Sequence, residues 1–214
     1  MGRTLKGYGR HWESYQLQYG EIWSSENARI CNWDITKGVP EFMKVADMIY
    51  CDAPWTLGNV NMFNSKAGRG YINDFSEFYV HLFSLIREIC PRVCFLEIGK
   101  EELSTFKGQL EEIYRHVQVW QVTYYKKNKS YLIRGSDSPT DFDYKGLDDE
   151  FTPYIAIYNE KPNIVADACT GRGLTAISAF RNGCKFVGTE LNARKLAGLC
   201  TRGRKYKEYF VKDS

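Results

Sequence analysis

The stretch NIVADACTGRGLTAISAFRNGCKFVGTELN, Asn163 to Asn192, reads as one strand–turn–helix–strand unit. Ile164-Val165-Ala166 is a short apolar run of the kind that forms a buried parallel strand, and it ends at Asp167. A loop with Gly171 and Gly173 follows, and Leu174 to Phe180 has the period of a helix packed on a sheet, closed by Gly183. Lys185 to Thr189 returns as a second strand and delivers Glu190 about twenty residues past the glycine loop, where nucleoside-binding folds place a ribose-binding carboxylate. Glycine lets backbone approach a ligand, while a helix N-terminus and a carboxylate grip its polar groups. A G-x-G pair alone marks a tight turn as readily as a ligand loop. It is the order strand, loop, helix, strand, acid that points to a nucleoside.

Working outward, Val45 to Cys51 is an apolar strand that places Asp52-Ala53-Pro54-Trp55 at its carboxyl end, where open α/β sheets bind ligands. Taken alone, Asp-x-Pro-Trp is equally a turn after a strand.

Three segments together resemble the S-adenosylmethionine-dependent DNA amino-methyltransferases. Asp167-Ala168-Cys169-Thr170-Gly171-Arg-Gly173-Leu-Thr175 looks like that family's cofactor motif, usually Asp-Pro-Phe-x-Gly-Ser-Gly-Thr-Thr. Phe186-Val-Gly-Thr-Glu190-Leu191-Asn192 is similar to the Phe-Ile-Gly-x-Glu-Leu-Asn that follows it, and Asp52-Ala-Pro-Trp55 to the catalytic Asp-Pro-Pro-Tyr/Trp tetrapeptide. The resemblance spans about Ala28 to Asn192. The catalytic motif comes first, as in the circularly permuted beta group.

The resemblance implies a Rossmann-like class I methyltransferase, α/β, with a mixed, mostly parallel seven-stranded sheet. It implies S-adenosylmethionine as cofactor, held by Asp167, Ala168, Cys169, Thr170, Gly171, Gly173, Thr175, Glu190, Leu191 and Asn192. Asp34, after a strand at Ala28 to Asn32, is a secondary candidate facing adenine; the alternative is an N-cap role. Asp52 and the Ala53 carbonyl are expected to accept the N–H groups of an exocyclic amine, whose ring-delocalised lone pair must be steered toward the methyl donor. Pro54 fixes the turn, and Trp55 offers a stacking face to an extruded base. Alanine stands at 53 where the family usually has proline. Asp52, where cytosine-N4 enzymes often carry serine, favours adenine N6 in DNA. RNA adenine methylation, protein amine methylation and a catalytically silent subunit are the alternatives.

Composition sets the remaining bounds. The chain has 214 residues, enough for one methyltransferase domain (28–214) behind an aromatic extension (1–27) in which Tyr8, Trp12, Tyr15, Tyr19 and Trp23 recur at helical spacing. Seven cysteines without a C-x-x-C pair suggest reduced thiols, and no histidine–cysteine spacing suggests a metal. The N-terminus lacks a signal-peptide core and no apolar run spans a membrane, so the expectation is a cytoplasmic or nucleoid-associated protein. The net charge of +3 is mild. Lys126, Lys127, Lys129 and Arg134, interleaved with tyrosines, are the candidate nucleic-acid cluster, with 126–150 as a small insertion that reads the target; a solvated surface is the plainer reading. Residues 56–73, polar and glycine-rich, read as a lid loop over the target base, with Lys66 and Arg69 near DNA phosphate and Asn59 and Asn61 as base or cofactor contacts.

Further expectations cover the connecting segments. Asp74 caps a helix to Ile89, Val93 to Ile98 is a strand, Glu101 to Tyr114 a helix, Val117 to Lys126 a strand and Thr152 to Tyr158 the last strand before the cofactor unit. On that reading the beta-group helix before the cofactor strand is missing, and residues 1–27 or a second subunit cover the cofactor instead.

Overall fold

The computed structural model describes residues 11–213. One sheet of nine strands organises them, in the order β5-β6-β4-β3-β7-β8-β2-β1-β9. In chain order the elements are β1 (Ile22–Ser24), β2 (Ala28–Asn32), β3 (Met48–Asp52), α1 (Leu57–Lys66), α2 (Ser76–Ile89), β4 (Val93–Ile98), α3 (Leu103–Glu111), β5 (His116–Tyr124), β6 (Asn128–Ser136), α4 (Thr152–Glu160), β7 (Ile164–Asp167), α5 (Leu174–Arg181), β8 (Lys185–Glu190), α6 (Ala193–Gly203) and β9 (Val211–Lys212). The central strands β4, β3, β7, β8 and β2 are parallel neighbours, whereas β6 and β1 run against theirs. The run from β5 to β2 has the expected number of seven strands, although β6 takes the place of the strand expected at 152–158, and β1 and β9 extend the sheet beyond it.

Local sequence explains the central elements. β3 and β4 are apolar on both faces because helices cover both sides of the sheet. On one face, α2 buries Phe78, Leu82, Phe83, Leu85, Ile86 and Ile89, each burial contributing on the order of 2 kcal/mol. The Asp74 carboxylate accepts the Ser76 N–H at 2.8 Å at the start of that helix, the capping expected of it. On the other face Met48, Tyr50, Phe95, Ala156, Ile157, Val165 and Ala176 share a core.

Three expectations are corrected. Residues 152–160 form helix α4, not a strand: Pro153 occupies its first turn, and the buried Thr152, Pro153, Ala156 and Ile157 follow a helical period. A helix therefore does precede the cofactor strand, and Asn182 donates to the Tyr154 carbonyl at 3.2 Å where α4 meets α5. Residues 57–66 are helix α1, capped by the Thr56 hydroxyl, which accepts the Asn59 N–H at 3.2 Å, so the polar stretch is no lid loop in this part. The segment 126–150 is no simple insertion, since β6 lies between β4 and β5 with nine residues paired to β5.

The aromatic segment belongs to the sheet edge. Tyr15 is buried, packs edge-on against Trp23 at 5.9 Å and accepts a hydrogen bond from Arg204 at 2.8 Å; Trp12 and Trp23 join the same core. Among the described aromatics of this stripe Tyr19 turns elsewhere, stacking on Trp33 at 5.4 Å after β2. Among the described residues the stripe is thus mainly core, with Tyr19 at the carboxyl end of β2; Tyr8 lies outside the described residues.

Candidate active site at the carboxyl ends of β3, β7 and β8

Parallel pairing brings the three acidic strand ends together. β7 sits between β3 and β8, with Met48 opposite Val165 and Asp167 opposite Gly188, so Asp52, Asp167 and Glu190 end adjacent strands along one edge.

The loop from Asp167 to Gly173 is held from within. The Asp167 carboxylate accepts the Cys169 N–H at 2.9 Å, and the Thr170 hydroxyl donates to the Asp167 carbonyl at 3.1 Å. Gly171 and Gly173 adopt left-handed backbone, with φ of 55° and 80°. At Gly173 a Cβ would lie 2.4 Å from Leu199 Cδ1, so this glycine is required for packing. At Gly171 it would meet only the Cys169 carbonyl, 3.6 Å away, which leaves open space over the loop. Ala168, Thr170 and Thr175 are buried, and Cys169 is half-buried. Burial pushes the Asp167 carboxyl up, to about 7, against the pull of Thr175, Cys169 and Cys51.

Glu190 is buried yet well partnered. Its Oε2 accepts the Gly171 N–H at 2.8 Å, and its Oε1 accepts the Asn192 N–H at 2.9 Å and lies 3.5 Å from the Lys195 ammonium. The Asn192 side chain caps α6 by accepting the Arg194 N–H at 3.0 Å. An open space over Gly171 and a carboxylate whose Oε2 keeps a free acceptor position fit a ribose with its hydroxyl pair. Asp34 caps the 3₁₀ turn Ile35–Lys37, accepting from the Thr36 N–H at 3.0 Å and its hydroxyl at 2.8 Å, which is the alternative role raised for it.

Asp52 closes β3 with its side chain exposed, while Ala53 behind it is buried. Trp55 Nε1 donates to Asp52 Oδ1 at 3.1 Å. The indole packs between Gly99, where a Cβ would come within 3.2 Å of it, and Tyr124, whose ring stands edge-on at 4.8 Å. The protein crowded around Asp52 pushes its carboxyl up, to about 7; the Trp55 bond and Lys195 pull it down, and Asp167 and Asp149 push it further up. Because the side chain is exposed, water offsets part of the burial. Beside it in register stands Glu97, buried, accepting from Ser130 at 2.9 Å and Tyr50 at 3.3 Å. Burial, then the Asp52 charge, hold the Glu97 carboxyl well above its ordinary range.

The expected nucleic-acid residues separate. Lys126, Lys127 and Lys129 are exposed around the turn of the β5–β6 hairpin, next to the exposed Tyr125. Tyr125 and Lys126 are left-handed there, and their N–H groups are taken by Asp149 at 3.1 Å and Asp148 at 2.8 Å. The acidic stretch thus shapes the basic tip. Arg134 does not belong with it: it is buried, donating to Glu160 at 2.7 Å and to the Ser138 carbonyl at 2.8 Å. Nor is Asn61 a free contact, since its amide holds the Ile72 N–H and C=O at 2.8 and 3.0 Å. Asn59 is half-buried in α1, Lys66 is exposed at its end, and the Arg69 guanidinium lies 5.0 Å over the Tyr19 ring. Sequence reading missed Lys195, Glu97 and Gly99. The signal for Lys195 was its place one turn into the helix that Asn192 caps; for Glu97, a carboxylate inside the apolar run Val93 to Ile98.

No protein-family model and no curated protein sequence matches the chain. Solved structures do. The chain is similar to M1.HpyAVI, crystallised as a complex with SAM, at 15% identity over 82% of this chain and 98% of that one, with a TM-score of 0.54. It is similar to a putative DNA modification methylase from Thermus thermophilus, complexed with S-adenosyl-L-methionine, at 15% identity over 80% and 91% with a TM-score of 0.56. It is also similar to the PvuII DNA methyltransferase, described as cytosine-N4-specific, at 10% identity over 85% and 90% with a TM-score of 0.52. The shared property is the fold, that of the class I methyltransferases.

Proposed function

We propose that this chain, built on the class I methyltransferase fold, methylates an exocyclic amine of a base in DNA, with adenine N6 as the acceptor. The observation that carries the reading is the meeting of Asp52, with Trp55 bonded to it, and the Asp167–Gly173 loop at the ends of adjacent strands. The three solved relatives described as DNA methylases or as bound to SAM support it.

S-adenosylmethionine supplies, when bound, an electrophilic methyl on a sulfonium. Glu190 takes ribose hydroxyls, the 168–171 loop lies along the nucleoside, and Asp167 turns its carboxylate toward the same end of the sheet. Asp52 accepts one N–H of the target amine and the Ala53 carbonyl the other, which pyramidalises the nitrogen and frees its lone pair for in-line attack. A base leaving its stack finds the Trp55 and Tyr124 rings beside that carboxylate, and the Lys126 tip engages phosphate. Asp52 in place of serine favours adenine. The protein acts in the cytoplasm on this reading, alone, as a homodimer or with a partner subunit.

The test is transfer of labelled methyl from S-adenosylmethionine to duplex DNA and to structured RNA, with nucleoside analysis, for the parent and Asp52→Ala. The expected result is label on N6 of DNA adenine that disappears in the variant. Label on cytosine N4 corrects the base, label on RNA corrects the substrate, and no transfer by a protein that still binds the cofactor returns the reading to a silent subunit.

A further inference from the structure

Lys195 stands beside the Glu190 carboxylate that would receive a ribose. Its ammonium lies 3.5 Å from Glu190 Oε1 and 4.1 Å from the centre of the Phe63 ring of α1, with the side chain 18% exposed. Each carboxylate oxygen accepts about two hydrogen bonds. Oε2 accepts the Gly171 N–H, whereas Oε1 accepts the Asn192 N–H and has the Lys195 ammonium facing it as an ion pair at 3.5 Å. A ribose diol donating to both oxygens would bring one hydroxyl to the side of Oε1 that the ammonium faces and push the ammonium aside. The Phe63 face keeps a desolvated cation nearby after it is displaced, since cation–π contact favours that position.

We infer that Lys195 is a cationic stand-in for the ribose hydroxyls that tilts the site away from the positively charged methyl donor and toward its neutral demethylated product. The inference rests on the proposed function. Donor and product share adenosine and amino-acid groups and differ at sulfur, a sulfonium in one and a thioether in the other. The sulfur is four bonds from O3′, within roughly 5 Å by ordinary bond lengths, so the displaced ammonium and the sulfonium share one partly enclosed site. Their repulsion raises the bound donor and leaves the product untouched. The carboxylates of Asp52, Asp167 and Glu190 oppose it and keep donor binding possible. The repulsion falls as positive charge leaves sulfur, so the cation also favours the transfer step over the bound donor.

Calorimetric titration of the full chain with S-adenosylmethionine and with S-adenosylhomocysteine, without nucleic acid, tests this in the parent, Lys195→Met and Lys195→Arg, with circular dichroism confirming the fold. In Lys195→Met both ligands bind more tightly because Glu190 is freed, and the donor gains about fivefold more than the product. Lys195→Arg keeps the parent ratio. Equal changes for both ligands in Lys195→Met, or weaker donor binding, would overturn the inference while leaving the proposed function standing. A parent protein that binds neither ligand would overturn both.

Discussion

Trp55 reaches back to Asp52, its indole N–H 3.1 Å from the carboxylate oxygen, while its ring is wedged against Tyr124. The bond draws the Asp52 carboxyl below where burial alone would leave it. An amine acceptor must be ionised, so the methyl-transfer rate should fall as pH drops through about 7. Trp55→Phe keeps a ring and removes the N–H, which raises the Asp52 carboxyl further. The acid limb of the pH–rate profile then moves up by about one unit, with activity restored near pH 9. A loss of equal size at every pH would show that the indole acts through packing.

Asp167 predicts a stability change of unusual sign. Burial holds its carboxyl at about 7, above the ordinary value of 3.8. The folded state therefore binds the extra proton, so between roughly pH 4 and 7 stability falls as pH rises, and above 7 the loss is complete. Asp167→Asn keeps an oxygen for the Cys169 N–H and carries no charge. Denaturant unfolding should find the variant on the order of 2 kcal/mol more stable than the parent at pH 8, and equal to it near pH 4. A less stable variant at pH 8 would mean that ionised Asp167 has a cation partner in the folded state.

The two loop glycines should part company on substitution. Gly173→Ala drives a Cβ to within 2.4 Å of Leu199 at a φ of 80°, and should cost about 3 kcal/mol of stability. Gly171→Ala has a φ of 55° but its Cβ meets only the Cys169 carbonyl at 3.6 Å, so the loss should be about 1 kcal/mol. Its methyl enters the space over the loop, and cofactor affinity measured by calorimetry should fall about tenfold or more. Gly171→Ala with parent-like affinity would move the cofactor off this loop.

Where the chain was legible follows from how many physical constraints each stretch obeys at once. The Asp167 to Glu190 unit joins β-branched runs, required glycines and a helix period, and every element falls as read. The end of β3 was legible for the same reason. Residues 152–160 misled because Tyr154, Ile155, Ile157 and Tyr158 favour strands, while tertiary burial of Ala156 and Ile157 selects the helix. In α1, glycine and three asparagines lower helix propensity, and Val60 is the one buried residue, so the cap at Thr56 was its main signal. Arg134 was indistinguishable from its exposed lysine neighbours because its partner, Glu160, is 26 residues away.

That last distinction yields a paired prediction on DNA binding. Arg134, its side chain 4% exposed, is bound to the equally enclosed Glu160, and Arg92 reaches the same carboxylate at 3.3 Å. Arg134→Met leaves Glu160 only partly compensated and should cost about 3 kcal/mol in denaturant unfolding, with DNA affinity unchanged under conditions where the variant is folded. Replacing Lys126, Lys127 and Lys129 with alanine removes exposed charge and no buried contact, so stability should stay within about 0.5 kcal/mol. Duplex DNA binding should weaken, and the slope of log affinity against log salt should become shallower by up to about three. If Arg134→Met instead reduced the salt slope and the triple variant left it unchanged, the hairpin tip would not be the phosphate-binding surface. The cations that meet DNA would then lie elsewhere, with the exposed Lys66 at the end of α1 the next to replace.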